Sequence, residues 1–116
     1  MKLNKKKFIK TIIKIINNNK IKIIDNRRNK INNLFDYFII CEGTSDLHVK
    51  SIYNKIEETI YNIFNIKPLN IEGKNNNKWI LIDYNFIIIN IFLKKIRKYY
   101  MIDKLFKNFP ILYIKN

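Results

Sequence analysis

Tyr37-Phe38-Ile39-Ile40-Cys41-Glu42-Gly43-Thr44-Ser45-Asp46 is the stretch that decides how this chain folds. Tyr37 to Cys41 is continuously apolar, aromatic or β-branched, the pattern of a strand buried on both faces. The run stops at Glu42 and Gly43. Thr44, Ser45 and Asp46 then supply side-chain oxygens able to cap a helix, and the Asp46 carboxylate complements the positive end of its dipole. Beyond them Val49, Ile52, Tyr53, Ile56, Ile60, Ile63 and Phe64 recur at the spacing of one helical face, with Lys50, Asn54, Lys55, Glu57 and Glu58 mostly off it. Pro68 cannot continue that helix.

Working outward, Phe8, Ile9, Ile12, Ile13, Ile15 and Ile16 predict an amphipathic first helix, with Lys10 and Lys14 on another face. Asn17 to Asn19 break it, and Ile21, Ile23 and Ile24 read as a strand bounded by the polar run Asp25 to Lys30. Downstream, Leu69 to Glu72 is a short extended piece leading into the loop Gly73 to Asn77. Trp79 to Asp83 and Phe86 to Leu93 read as two strands joined by Tyr84 and Asn85, because Asn tolerates the positive φ of a tight hairpin. Ile96, Tyr99, Tyr100, Ile102, Leu105 and Phe106 predict a last helix, and Pro110 sets off a tail. This order implies an α/β (α+β) sandwich, a mixed β-sheet flanked by helices. The length of 116 residues fits a single domain, 1–116, with 1–20 as an N-terminal amphipathic helix and 107–116 as a C-terminal tail.

The formal charge is +14, and 20 of the 23 basic residues are Lys. Phosphate binding by a nucleic-acid partner is one origin of such an excess. Compositional drift is the other, since Lys, Ile and Asn supply 66 residues and Ala is absent. The scarcity of Arg also forgoes bidentate phosphate geometry. Cys41 is the single cysteine, so neither an intrachain disulfide nor a cysteine metal cluster is expected. The apolar runs, such as Phe86 to Ile89, are far shorter than the roughly 20 residues that span a bilayer, so no membrane association is expected. Lys10 and Lys14 interrupt any signal-peptide core near the N-terminus. Met1 to Ile24 is acid-free and amphipathic like a transit peptide, but lacks the usual Arg and Ser.

Chemistry-bearing groups are sparse. The nine carboxylates form no DxD, ExxE or HExxH pattern, so no metal or cofactor is expected and the chain reads as a non-enzyme. His48, the only histidine, is read as a surface or capping residue. Cys41 lies in the most apolar strand, where a thiol acts as a small inert hydrophobe. The turn Gly43-Thr44-Ser45-Asp46 could bind an anion at a helix N-terminus, and nucleotidyltransferases carry Gly-Ser at such a turn. That chemistry needs paired acids for two metal ions, and only Asp46 is near. Trp79, the lone tryptophan, is either a core or rim residue or an interface anchor.

In the same register the chain carries Asp36-Tyr37-Phe38-Ile39-Ile40-Cys41, Gly43-Thr44-Ser45, His48-Val49-Lys50, Pro68-Leu69, Ile71-Glu72-Gly73, Trp79-Ile80-Leu81-Ile82-Asp83-Tyr84, and Tyr100 with Lys104-Leu105. Together these strings resemble the ribosomal silencing factor family, also called Iojap-like proteins, from about Leu34 to Phe106. The resemblance implies a nucleotidyltransferase-like fold without transferase chemistry. It implies binding to the large ribosomal subunit, through its fourteenth ribosomal protein at the intersubunit face. Subunit joining would then be blocked sterically and translation repressed when nutrients are short. Carried over residue by residue, the contact surface would comprise Pro68, Leu69, Glu72, Gly73 and Trp79, with Asp83 as a neighbour. A tendency to homodimerise is also implied, as is a bacterial cytoplasmic location, with an organelle matrix or stroma as the alternative. The sequence departs from the family pattern at Glu42, Leu47, Asn85, Phe86 and Asn90, the last replacing a common His. The extra basicity leaves room for contact with ribosomal RNA. A general basic RNA-binding module and a residual nucleotidyltransferase are the competing readings.

Overall fold

The strand β2 (Tyr37–Gly43) and the strand β5 (Ile87–Leu93) pair in parallel, in unbroken register from Tyr37 opposite Ile87 to Gly43 opposite Leu93. Each is almost continuously buried, which is why both read as apolar runs without alternation. The computed structural model describes residues 3–29 and 34–116. Around the parallel pair lie β1 (Lys22–Asp25), β3 (Asn70–Glu72), β4 (Trp79–Asp83) and β6 (Ile111–Ile114), giving one six-stranded mixed sheet in the order β3-β4-β5-β2-β1-β6.

One face of the sheet carries the helices α1 (Lys5–Ile16) and α2 (Asp46–Phe64). Phe8, Ile12 and Ile16 of α1 and Val49, Ile52, Tyr53, Ile56 and Ile60 of α2 pack onto Ile39, Cys41, Ile80, Ile82, Ile87, Ile89 and Ile91 as the main core. Ser45 is the residue that caps α2, its side chain accepting from the His48 backbone N–H. Asn65 ends the helix in the left-handed conformation at φ 56°. Asn85 takes φ 78° in the β4–β5 connection, where the Asp83 carboxylate accepts from the Asn85 N–H at 2.7 Å. The sequence predicts that positive φ, and β5 begins one residue later than expected, at Ile87. The strand expected over Ile21 to Ile24 is β1, one residue further on, and β2 runs past the expected stop through Glu42 and Gly43.

Three expectations need correction. The last helix is not continuous over Ile96 to Phe106: α3 covers Lys94–Tyr99, Met101 turns left-handed at φ 48°, and a 3-10 helix follows at Ile102–Phe106. That break lets Arg97 reach Asp103 with a two-pronged grip of 2.8 and 2.9 Å, which an unbroken helix cannot make between residues six apart. It also drops Ile102 into a second, smaller core with Ile40 and Phe92, flanked by Phe38, Ile96 and Phe106. The segment 107–116 is not merely a tail. Its β6 pairs with β1 and satisfies that strand's outer edge, while the Tyr113 hydroxyl donates to Asn17 at 2.8 Å. The N-terminal helix occupies only Lys5–Ile16 of the 1–20 segment, capped by the Asn4 side chain; Met1, Lys2 and the Lys30 end of the polar run lie outside the described residues.

Arg97 also donates to the Lys20 carbonyl at 2.7 Å and to Glu42 at 3.2 Å, and Lys22 pairs with Asp103 at 2.9 Å. Burial pulls the Arg97 pKa down, and the bonds and charges of Asp103 and Glu42 together more than offset it. The Arg97 hydrogen bonds, opposed by partial burial and assisted by Lys22, hold the Asp103 carboxyl down at about 2 against its ordinary 3.8. Because the folded value lies below the unfolded one, this contribution is complete above about pH 4 and is lost as pH falls towards 2. Urea midpoints should therefore drop through that window, and Asp103→Asn should flatten the drop. An unchanged pH profile in the variant would remove Asp103 as its source. Arg97→Met should cost about 3 kcal/mol, because it removes the charged partner of the part-buried Glu42 and leaves Asp103 with Lys22 alone.

Candidate functional site

Alternation along a strand sends successive side chains to opposite faces, and in β4 that puts Ile80 and Ile82 in the main core and Trp79, Leu81 and Asp83 on the other face. Register extends the row. Trp79 lies opposite Phe92, Leu81 opposite Asn90 and Asp83 opposite Ile88, while Glu72 of β3 lies opposite Leu81 and Asn70 opposite Asp83. The 3-10 helix covers this second face over β2 and β5 through Ile102. Over β3 and β4 the face stays open: Glu72 and Trp79 are exposed, and Leu81, Asp83 and Ile88 are half-buried.

Trp79 is 48% exposed, yet it is held firmly. Its ring stacks on Phe92 at 5.0 Å between centroids and 27° between planes. Its Nε1–H donates to the Asn90 side-chain oxygen at 3.0 Å. Asn90 is fully buried, and its own amide donates across the sheet to the Ile39 carbonyl at 3.4 Å. A partly exposed indole with its polar edge satisfied and one ring face backed is a rigid, amphipathic contact surface.

The other predicted residues divide. Gly73, at φ 88°, closes β3, and an added Cβ would sit 1.8 Å from the Trp79 carbonyl oxygen. Only glycine fits there. Leu69 is 71% exposed at the entrance to β3, where its N–H donates to the Asp83 carbonyl at 2.8 Å. Asp83 shares the open face, but its carboxylate serves the hairpin turn. Pro68 is not with them: it lines a recess with Glu57, Glu58, Tyr61, Lys67 and Ile71, on the α2 side. Leu81, Ile88, Phe92 and Asn90 belong to the face or support it and were missed. For Leu81 the signal was there, two residues from Trp79 in a period-two strand; for Asn90 nothing in the sequence links it to an indole 11 residues away.

The turn Gly43-Thr44-Ser45-Asp46 is occupied by its own structure. Gly43 is pressed against Val49, with only 2.8 Å from an added Cβ to the Val49 side chain. His48 Nδ1 accepts from the Thr44 N–H at 2.8 Å, so the imidazole braces the turn. Burial pushes the Cys41 thiol up to about 12, and at neutral pH it stays protonated and unreactive. Among the described residues no group of three or more His, Cys, Asp or Glu could hold a metal ion, and no helix is long and apolar enough to cross a membrane.

A family model described as ribosomal silencing factor during starvation matches residues 4–115. The chain is 34% identical over 77 residues to ribosomal silencing factor RsfS of Bacillus subtilis, covering 66% of this chain and 64% of that protein, so it spans just under two thirds of that relative. It is 29% identical over 73 residues to the Mus musculus protein named mitochondrial assembly of ribosomal large subunit protein 1, covering 60% of this chain and 32% of that one. A crystal structure of a Chromobacterium violaceum protein matches with a TM-score of 0.77 at 23% identity, covering 89% of this chain and 86% of that chain; this likeness speaks for the fold.

Since Trp79 is the lone tryptophan, its fluorescence reports directly on the open face. Asn90→Ala should keep the fold, cost about 1 to 2 kcal/mol through the lost buried hydrogen bonds, and shift the emission to longer wavelength as the indole loosens. Unchanged emission would mean that Phe92 alone positions the ring.

Proposed function

This chain belongs to the ribosomal silencing factor family, and from that membership we propose that it docks on the large ribosomal subunit and sterically prevents subunit joining. The observation that carries this reading is the half-exposed Trp79, fixed by Phe92 and Asn90 on a part of the sheet face that no element of the described residues covers. Aromatic anchors at the centre of an interface contribute most when they are already rigid, because little conformational entropy is then lost on binding. Glu72 and Gly73 border the anchor, and Leu69 and Asp83 lie at the far end of the same strand pair. The fourteenth large-subunit ribosomal protein is the proposed partner of this face. Pro68, turned towards α2, acts through the course of the chain into β3.

The mechanism needs no chemistry. A body measuring 39 × 33 × 23 Å, seated where two large surfaces must meet, keeps them apart by its thickness alone. The mouse relative is named for assembly of the large ribosomal subunit in mitochondria, which supports a large-subunit partner here. A bacterial cytoplasmic site of action is part of the proposal, with an organelle matrix or stroma as the alternative.

The test is sedimentation with purified subunits, followed by a subunit-joining assay. The protein should travel with the large subunit and not the small one, and should lower the yield of joined ribosomes. Trp79→Ala should weaken large-subunit binding by about 2 kcal/mol or more, roughly thirtyfold. The same variant should lose only about 1 kcal/mol of stability, since the ring is stacked on the core and not inside it. Equal binding of both subunits at moderate salt would sink the reading in favour of general RNA attraction.

A further inference from the structure

α3 and the 3-10 helix carry Lys94, Lys95, Lys98 and Lys104, all exposed. None of them forms an ion pair among the described residues. The acids close by are already committed, Asp103 to Arg97 and Lys22, and Glu42 to Arg97. Asp46 shares a shallow recess with Lys94, Lys95 and Lys98 without pairing with them. Lys94 and Lys98 stand four apart, a like-charge arrangement that weakens a helix. Beside these cations Tyr99 is 77% exposed and Tyr100 61%; their rings meet edge to face at 4.9 Å, so neither is covered by flat stacking.

We propose that this segment binds single-stranded RNA, with Lys94, Lys95, Lys98 and Lys104 on phosphates and Tyr99 as a stacking platform for a base. Free lysines alone would fit any polyanion. An aromatic ring left in water between them adds the element that selects unstacked bases, since a strand offers phosphates and open base faces together. Within the basic cluster Arg97 takes the opposite part: it is buried and bonded to protein, and so fastens the platform to the sheet. The surface is distinct from the Trp79 face and does not depend on it, because it lies beyond the covered half of the sheet. The α1 helix, which carries Lys5, Lys6, Lys7, Lys10 and Lys14, has at least as much positive charge but no exposed aromatic, and it serves as the internal comparison.

The experiment is fluorescence anisotropy of a labelled oligouridine of about fifteen nucleotides against the full chain over a range of salt. Replacing Lys94, Lys95 and Lys98 together with Gln should weaken binding at least tenfold and reduce the slope of log affinity against log salt by about 2. Tyr99→Ala should weaken binding by about fivefold or more with the slope unchanged. Replacing Lys6, Lys10 and Lys14 with Gln, and separately Trp79→Ala, should each leave affinity within about a factor of two for a local site. All the substituted side chains are exposed, and circular dichroism checks the fold. Equal losses from the two lysine triples would show attraction by net charge and overturn the proposal. So would an inert Tyr99→Ala, or polyglutamate binding the same residues as tightly as RNA.

Discussion

The parallel pairing of β2 with β5 places a demand that the rest of the molecule answers. Parallel strands are stable when both faces are covered, and the chain has 116 residues with which to cover them. The two long helices cover one face completely. Among the described residues the other face is covered mainly by the short segment after β5, which reaches the half nearer β2. Folding this sheet therefore leaves an open half face over β3 and β4, and that is where Trp79 lies. The candidate docking surface is the uncovered remainder of the core.

What holds the small cover in place is Arg97. A 3-10 helix with one buried residue, Ile102, has little apolar area to offer, and burial of one Ile is worth about 2 kcal/mol. The guanidinium joins α3 to the 3-10 helix through Asp103, to β2 through Glu42 and to the chain before β1 through the Lys20 carbonyl. Each carboxylate in turn gains a charged donor that offsets its partial burial. A lysine could not replace it, having no planar fork to meet Asp103 with two bonds while reaching two further acceptors.

The fold was readable where local physics decides it. Tyr37 to Cys41 could hardly be anything but an inner strand, and the stripe from Val49 to Phe64 with a Ser45 cap specified α2. Asn85 announced its hairpin. The break at Met101 is hidden in the sequence because Tyr99, Tyr100 and Leu105 imitate an inward apolar face, yet they are exposed. Their spacing was helical, but no core was waiting for them. The pairing of β6 was hidden behind Pro110, which marks an end to a helix but does not forbid a strand beyond it. The Arg97 contacts join residues 55 and 77 positions apart, and a single sequence holds no trace of such pairings. Of the candidate surface, the family strings name Trp79, Glu72 and Gly73, which lie together at one end of β3 and β4, but they do not show that Pro68 faces α2 or that Asn90 supports the indole.

Asn90 and Phe92 show how the open face stays ordered without becoming part of the core. A buried amide is costly unless its groups are bonded, and Asn90 meets that condition by accepting from Trp79 and donating to the Ile39 carbonyl. Phe92 lies beneath the indole and also packs with Ile102 and Ile40. One side chain thus backs the indole and anchors the cover. The packing is common to both surfaces, but the exposed groups are not: the lysines of α3 and the indole of Trp79 meet solvent at separate places.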